Sequence, residues 1–168
     1  MSRSRCAPCL VAAALLLLLG CASNDAIPVS TNYDPLVRFP ATATFVWDDA
    51  ANTLPDDPAI EARSTDALLK SVANEAFAAR GYRVVEGASA DYRLSYQYGV
   101  HTYIGTNVSR SIGSISLMLS DYATKRRVWM GFGRAEIHVG LSPEERRARL
   151  SDAMARMLEK FPPSQRPE

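Results

Sequence analysis

Cysteine is scarce in this sequence, which carries three cysteines in 168 residues. Cys6 and Cys9 lie within the first 20 residues, a segment with the layout of a removable signal peptide, so the mature chain keeps Cys21 alone. A single cysteine forms neither an internal disulfide nor a cysteine-based metal cluster, and both are therefore excluded from the mature chain.

The sequence also lacks an apolar run long enough to span a membrane. Its N-terminal run, residues 9–19, has eleven apolar residues, whereas a spanning helix needs about 20. Arg3 and Arg5 precede this run without an acidic residue, and Gly20 follows it. A basic start, a short apolar core and then small residues are typical of a secretory signal peptide. We therefore predict a signal peptide over residues 1–20.

An excess of charge of one sign is missing as well. The 19 Lys and Arg residues face 18 Asp and Glu residues, and loss of Arg3 and Arg5 with the signal peptide changes the net charge from +1 to −1. Proteins that bind nucleic acid need several unopposed basic side chains on the phosphates. The near balance of charge therefore argues against a nucleic-acid partner.

The motifs of common catalytic and metal sites are absent. No G-x-S-x-G nucleophile motif and no H-E-x-x-H motif occurs, and the two histidines, His101 and His138, fall on different predicted strands. The glycines of Gly131-Phe132-Gly133 lie in mid-strand without a following helix, which favours a bulge or close packing over a phosphate loop. We therefore expect no catalytic residue, no metal site and no cofactor.

The residues that end the apolar run carry a recognisable signature. Leu18-Leu19-Gly20-Cys21 resembles the lipobox of bacterial lipoprotein precursors. The resemblance implies cleavage between Gly20 and Cys21, a diacylglyceryl group on the thiol and an acyl chain such as palmitate on the new amine. Two or three acyl chains hold a protein on a membrane stably. Ala22, which follows the cysteine, implies the outer membrane of the bacterial envelope, facing the periplasm.

The remaining chain is predicted to form one domain. Residues 21–32 are polar and irregular and are interpreted as the lipidated cysteine and a flexible tether. Residues 33–163 are interpreted as a single α+β domain, and residues 164–168 as a disordered tail.

Apolar periodicity predicts four strands and two helices in this domain. Alternation indicates strands over 39–47, 91–101, 112–120 and 127–139, and 3–4 spacing indicates helices over 62–80 and from residue 143 to the prolines at 162 and 163. Ser142, Pro143 and Glu145 form the signature of a capping box at the second helix. This order predicts a two-layer sandwich: a mainly antiparallel four-stranded sheet with both helices on one face.

Four tyrosines lie on or near the 91–101 strand. Tyrosine is enriched at interfaces, so these side chains are a candidate binding surface, but packing in the core beneath the helices is the favoured interpretation. The four residues are Tyr92, Tyr96, Tyr98 and Tyr103.

Short motifs along the domain resemble a family of bacterial lipoproteins known as domain of unknown function 4136. The motifs are Tyr33-Asp34, Thr44-Phe45-Val46-Trp47, Arg80-Gly81-Tyr82, Ala90-Asp91-Tyr92, Asp121 with Thr124-Lys125, Val128-Trp129-Met130-Gly131 and Phe161-Pro162-Pro163. The resemblance spans about residues 33–163. It implies an envelope lipoprotein with a compact α+β domain and carries no catalytic residues.

Three hypotheses for function follow. The first is a non-enzymatic accessory or binding module, tethered to the membrane through lipid on Cys21, with an envelope protein or a small molecule as its partner. The second is a carrier of a small molecule or lipid, which requires an apolar cavity above roughly 300 Å³. The third is an enzyme of unrecognised type, which requires His101 or His138 in a cleft within hydrogen-bond reach of an acid or hydroxyl.

Overall fold

The fold contains the four predicted strands, two further strands and the two predicted helices. The computed structural model of the chain describes residues 27–40, 42–56, 61–87, 89–104, 106, 109–138, 140–159 and 161. The predicted signal peptide, Cys21 and the predicted tail lie outside these residues. The elements are β1 (Val29–Tyr33), β2 (Thr44–Trp47), α1 (Ala62–Ala78), β3 (Arg83–Val84), β4 (Tyr92–Ile104), β5 (Ser109–Asp121), β6 (Arg127–Glu136) and α2 (Pro143–Met157).

The strands form one open sheet in the order β1-β6-β5-β4-β2-β3. β4, β5, β6 and β1 pair antiparallel, whereas β2 runs parallel to both β4 and β3. The prediction of a four-stranded, mainly antiparallel sheet is therefore wrong in two respects. The sheet of the described residues has six strands, and β2 and β3 form a parallel edge. The predicted hairpin of β5 and β6 is confirmed.

The two strands that were not predicted lie at the edges of the sheet. β1 pairs with β6 from Val29 opposite Gly133 to Tyr33 opposite Trp129, so residues 29–32, assigned to the tether, belong to the sheet. Its sequence is polar because an edge strand that is largely exposed needs few apolar side chains. β3 has two residues, too few for alternation to appear.

The strand predicted over residues 39–47 is shorter in the structure. Phe39 and Ala43 are buried in the core, but the ladder begins at Thr44. Pro40 lies between them, and proline lacks the backbone N–H that a ladder needs.

Both helices pack on the same face of the sheet, as predicted. The Tyr96 hydroxyl donates to Asp66 of α1 at 2.7 Å, and Gly131, which lies in the same cross-strand row as Tyr96 and Leu117, lies against Met157 of α2. The two helices also contact each other, so they form the second layer of the fold.

The predicted start of α2 is confirmed, whereas both helices end earlier than predicted, α1 at Ala78 and α2 at Met157. The Ser142 hydroxyl accepts from the Glu145 backbone N–H at 3.2 Å, and the Glu145 carboxylate accepts from the Ser142 N–H at 2.7 Å. This capping box satisfies two donors at the start of α2. After α1, Gly81 adopts a φ of +81°, the left-handed conformation with which glycine commonly ends a helix.

An aromatic cluster closes the core beyond the C-terminal ends of both helices. The Phe161 ring centroid lies 5.1 Å from that of Phe39, 5.2 Å from that of Trp129 and 5.3 Å from that of Tyr82. Arg80 adds a polar tie, because its Nε donates to the Leu158 carbonyl at the end of α2 at 2.7 Å. This end of the helix layer is therefore packed shut.

Two aspartates hold the chain at the ends of strands. The Asp91 carboxylate accepts from the backbone N–H and the hydroxyl of Thr44 at 2.8 and 2.9 Å. The Asp121 carboxylate accepts from the N–H and the hydroxyl of Thr124, both at 2.7 Å. In each case both hydrogen bonds favour the charged carboxylate and lower its pKa, and the bond from the backbone N–H has the larger effect.

Candidate ligand-binding cleft

The helix-facing side of the sheet changes from large to small side chains along β5 and β6. Leu117, Leu119 and Trp129 fill the core at one end. Further along, Gly133 pairs with Ile115, and Ala135 pairs with Gly113. Because glycine and alanine reach only a short way toward the helices, they leave room on this side of the sheet, and the end of the Met157 side chain lies over Gly133.

The space left between the layers is a cleft of about 570 Å³. It lies near the N-terminal ends of both helices, opposite the aromatic cluster. Its walls are largely apolar, and they include Leu68, Tyr98, Ile115, Ile137, Leu141 and Leu150. Small-molecule sites in proteins are typically concave, mostly apolar and about 300–1,000 Å³ in volume, so the cleft has the size and the polarity of a ligand site.

Charged side chains surround this apolar interior. The lining residues include four arginines and two glutamates, but the side chains of Arg134 and Glu136 contact Tyr103 and Arg110 on the other face of the sheet. Three of the arginines, Arg146, Arg147 and Arg149, come from the first half of α2. The lining is therefore net positive, which favours an anionic group at the cleft.

Hydrogen bonds hold two of these arginines in place. Arg146 donates to the Leu141 carbonyl just before α2. Arg147 pairs with the carboxylate of Glu75 and donates to the Ser71 hydroxyl at 3.2 Å. Because Glu75 and Ser71 belong to α1, Arg147 ties the two helices together beside the cleft.

One of the two histidines lines the cleft. This is His138, which lies just after the end of β6. His101 of β4 lies on the face of the sheet away from the helices, where its ring centroid is 4.6 Å from that of Tyr103. Near His138, the Glu136 carboxylate accepts from Arg110 at 2.6 and 3.0 Å, and this pairing lowers the pKa of Glu136. The described residues contain no group of three or more His, Cys, Asp or Glu side chains that could hold a metal ion.

The structure does not bring the four predicted tyrosines together. Tyr92 and Tyr96 are buried in the core, and Tyr98 lines the cleft. Tyr103 is 49% exposed and lies on the other face of β4, where its hydroxyl accepts from Arg134 at 3.4 Å. The alternation of a strand separates the even-numbered tyrosines from Tyr103, so this division was readable from the sequence. The binding-surface hypothesis stays a prediction for Tyr98 and Tyr103.

Burial raises the pKa of each inward-facing tyrosine of β4, including Tyr92. Burial raises the pKa of the Tyr98 phenol in the cleft. Burial, together with the hydrogen bond and the charge of Asp66, raises the pKa of Tyr96. Asp66 also pairs with Lys70 at 3.0 Å, so the Tyr96 hydroxyl joins the sheet to a charged cluster on α1.

Sequence reasoning missed the residues that create the cleft. Gly131 and Gly133 were interpreted as a bulge or close packing, and close packing against Met157 holds for both. Gly133 also lines the cleft, together with Gly113 and Ala135. The available signal was the run of small residues at inward positions of adjacent strands, which becomes visible once the register is known.

The other face of the sheet carries no helix among the described residues. Met118, Met130 and Phe132 lie there, each partly buried, with Met118 directly opposite Met130 across β5 and β6. Methionine and aromatic side chains are common at contact surfaces. No described helix is long and apolar enough to cross a membrane.

Solved structures with a similar fold come from several bacteria. The PelC dodecamer from Paraburkholderia phytofirmans (space group P6) has a TM-score of 0.52 at 14% identity, over 79% of this chain and 94% of that chain. A PDZ domain protein from Parabacteroides distasonis has a TM-score of 0.57 at 10% identity, over 82% of this chain and 36% of that chain. Lipoprotein GNA1162 from Neisseria meningitidis has a TM-score of 0.46 at 16% identity, over 70% of this chain and 99% of that chain.

At these identities the first two likenesses establish a shared fold and nothing further. No curated protein matches the sequence. A family model, described as Domain of unknown function (DUF4136), matches residues 29–163. This match covers the whole of the sheet and both helices, and it confirms the family suggested by the sequence motifs. The chain therefore belongs to the DUF4136 family.

Proposed function

We propose that this protein is a lipoprotein of the bacterial envelope that acts by binding a small molecule in the cleft, without catalysis. Lipid on Cys21 holds it to the outer membrane, facing the periplasm. The observation that carries the proposal is the cleft of about 570 Å³ with its apolar walls. Of the partner classes expected from the sequence, an envelope protein or a small molecule, the cleft favours the small molecule.

The volume of the cleft supports the carrier hypothesis in particular. That hypothesis required a cavity above roughly 300 Å³ between sheet and helices, and the cleft exceeds this size. The opposite end of the same layer is filled by the aromatic cluster, so the opening depends on Gly113, Gly133 and Ala135. A binding role explains why the core is left open at one end.

The experiment is native mass spectrometry of the full-length protein, gently extracted from its own membranes, beside a Cys21→Ser variant. We expect a chain that begins at Cys21 and carries two or three acyl chains, with the acyl mass absent from the variant. We also expect a co-purifying small molecule in a fraction of the chains. An unlipidated wild-type chain would refute the anchor, and turnover of a substrate that a single polar substitution abolishes would refute the non-enzymatic role.

A second candidate function is self-assembly through the uncovered sheet face. The partly buried Met118, Met130 and Phe132 favour it, and the similar PelC structure is a dodecamer of that protein. Sedimentation of wild type should give an oligomer that Phe132→Asp dissociates. Ile104→Asp, at an 87% exposed site near the tip of the β4–β5 hairpin, is the control and should leave the oligomer intact. A monomeric wild type at micromolar concentration would reject this candidate.

A further inference from the structure

We infer that the ligand of the cleft is an amphiphile with one acyl chain and an anionic headgroup. It is taken from the membrane to which lipid on Cys21 anchors the protein. The inference rests on the proposed function and adds the chemistry of the ligand to it. Three features of the described residues support it: the separation of apolar and charged lining, the place where the tether leaves the domain, and the size of the cleft.

The lining of the cleft has an apolar part and a charged part, as an amphiphile has an apolar chain and a charged headgroup. Ile115 and Tyr98 on the sheet and Leu68 and Leu150 on the helices offer an apolar interior. Removal of an acyl chain from water into such an interior favours binding, and each buried CH₂ adds to the effect. A fully polar ligand would gain nothing from these walls, because its polar groups would lose water without finding hydrogen-bond partners.

Arginines of α2 supply the complementary charge for a headgroup. Arg146 is exposed, Arg147 and Arg149 are partly buried, and all three line the cleft. The guanidinium group offers several N–H donors in a planar arrangement that fits phosphate and carboxylate oxygens. With three arginines against Glu144 on the helix side of the lining, an anionic headgroup is favoured over a cationic one.

The tether leaves the domain beside the same cleft. Ile27 lines it, and the Ile27 carbonyl accepts from Arg156 of α2 at 2.7 Å, which holds the start of the domain against the helix. Between the lipid-bearing Cys21 and Ile27 the chain spans at most about 20 Å when fully extended. The cleft therefore stays within that reach of the membrane surface, so membrane amphiphiles are the ligands at highest local concentration.

The volume favours one acyl chain. A cleft of about 570 Å³ falls within the roughly 300–1,000 Å³ typical of sites for drug-sized ligands. A phospholipid with two chains exceeds that ligand size, whereas one chain with its headgroup matches it. The inferred class therefore comprises lysophospholipids and fatty acids.

The test is a competition measured by native mass spectrometry on the full-length lipidated protein. Two probes with the same oleoyl chain are added in equal amounts: lysophosphatidylglycerol, which is anionic, and lysophosphatidylcholine, which is zwitterionic. Wild type should retain the anionic probe with roughly a tenfold preference, because both probes offer a phosphate to the arginines but the positive lining repels the choline ammonium. Glycerol phosphate, the headgroup without a chain, should not displace it.

Two pairs of variants locate the binding. Ala135→Phe fills the cleft from its sheet side and should abolish retention, whereas Ala78→Phe, at an exposed site near the C-terminal end of α1, should not. The double change of Arg146→Gln and Arg149→Gln should reduce the preference for the anionic probe to about twofold or less. Arg127→Gln, exposed at the far end of the sheet, should preserve it.

The outcomes separate the inference from the proposed function. Equal retention of both probes, lost in Ala135→Phe, would overturn the anionic headgroup and leave the cleft as the binding site. Displacement by glycerol phosphate would overturn the acyl chain. Retention that persists in a folded Ala135→Phe variant would overturn both the inference and the proposed function. The arginine variants change surface side chains, so the test remains decisive even if Ala135→Phe does not fold.

Discussion

Gly131 should be the glycine of β6 that tolerates a methyl group least. A Cβ at this position would lie 2.7 Å from Cη2 of Trp129 and 3.0 Å from Cβ of Met157. Trp129 is 1% exposed and Met157 is fully buried, so neither side chain has free space to enter. Overpacking of this kind costs about 1–3 kcal/mol, and replacement of a strand glycine returns about 0.5–1 kcal/mol. We expect Gly131→Ala to lower the free energy of unfolding by about 1–2 kcal/mol.

The assay is equilibrium unfolding in urea, with a thermal melt beside it. The melting temperature should fall by about 4 °C for each kcal/mol in a domain of this size. Gly113→Ala is the matched control, because its added Cβ would lie 3.2 Å from Cγ1 of Ile137, a side chain at the open cleft that can move. A Gly131→Ala variant as stable as Gly113→Ala would contradict the close packing of α2 on β6.

Three further predictions concern polar contacts. Tyr96→Phe removes the hydrogen bond to Asp66 and should lower the free energy of unfolding in urea by about 1–3 kcal/mol at neutral pH. Because the pKa of Tyr96 is raised in the folded state, the variant should also lose less stability than wild type above about pH 10. Arg80→Gln removes the donor to the end of α2 and should cost about 1–2 kcal/mol, and an unchanged urea midpoint would contradict this role. The pKa values of Asp91 and Asp121 are lowered in the folded state, so their stabilisation is present above about pH 4 and lost as the pH falls through the folded pKa. Urea midpoints from pH 5 to pH 2 should therefore fall less steeply for the double variant Asp91→Asn and Asp121→Asn than for wild type. Equal slopes would contradict the lowered pKa values of these two carboxylates.

Local patterns predicted the elements whose two faces differ in polarity. β4 and β5 alternate over their length, and the structure confirms a strand in each place. The capping box at Ser142 marked the start of α2 correctly, because it is a contact between residues three positions apart. The existence and position of these elements depend on interactions within a few residues, which a single sequence displays.

The edge strands were missed for the opposite reason. β1 is stabilised by its ladder with β6, more than 90 residues away, and its own side chains are mostly exposed. β3 is two residues long and is held by its parallel pairing with β2. Neither strand needs an apolar pattern of its own, so each is visible only when its partner is in place.

The sequence by itself determined the predicted signal peptide, the lipobox resemblance at Cys21, the near balance of charge and the family. These are properties of composition and of short contiguous motifs, which require no folding to be read. It also determined the amphipathic faces of the principal strands and helices, because side-chain direction follows from the period of each element.

The tertiary structure alone decided where the cleft lies. Gly113, Gly133 and Ala135 come from two strands, Leu68 and Leu150 from two helices, and they meet through the strand register and the packing of the helices. A shift of the register by one residue would turn the small side chains of one strand away from the helices and close the opening. The sheet order also placed Ile27 and the arginines of α2 beside the same space, which sequence separation concealed.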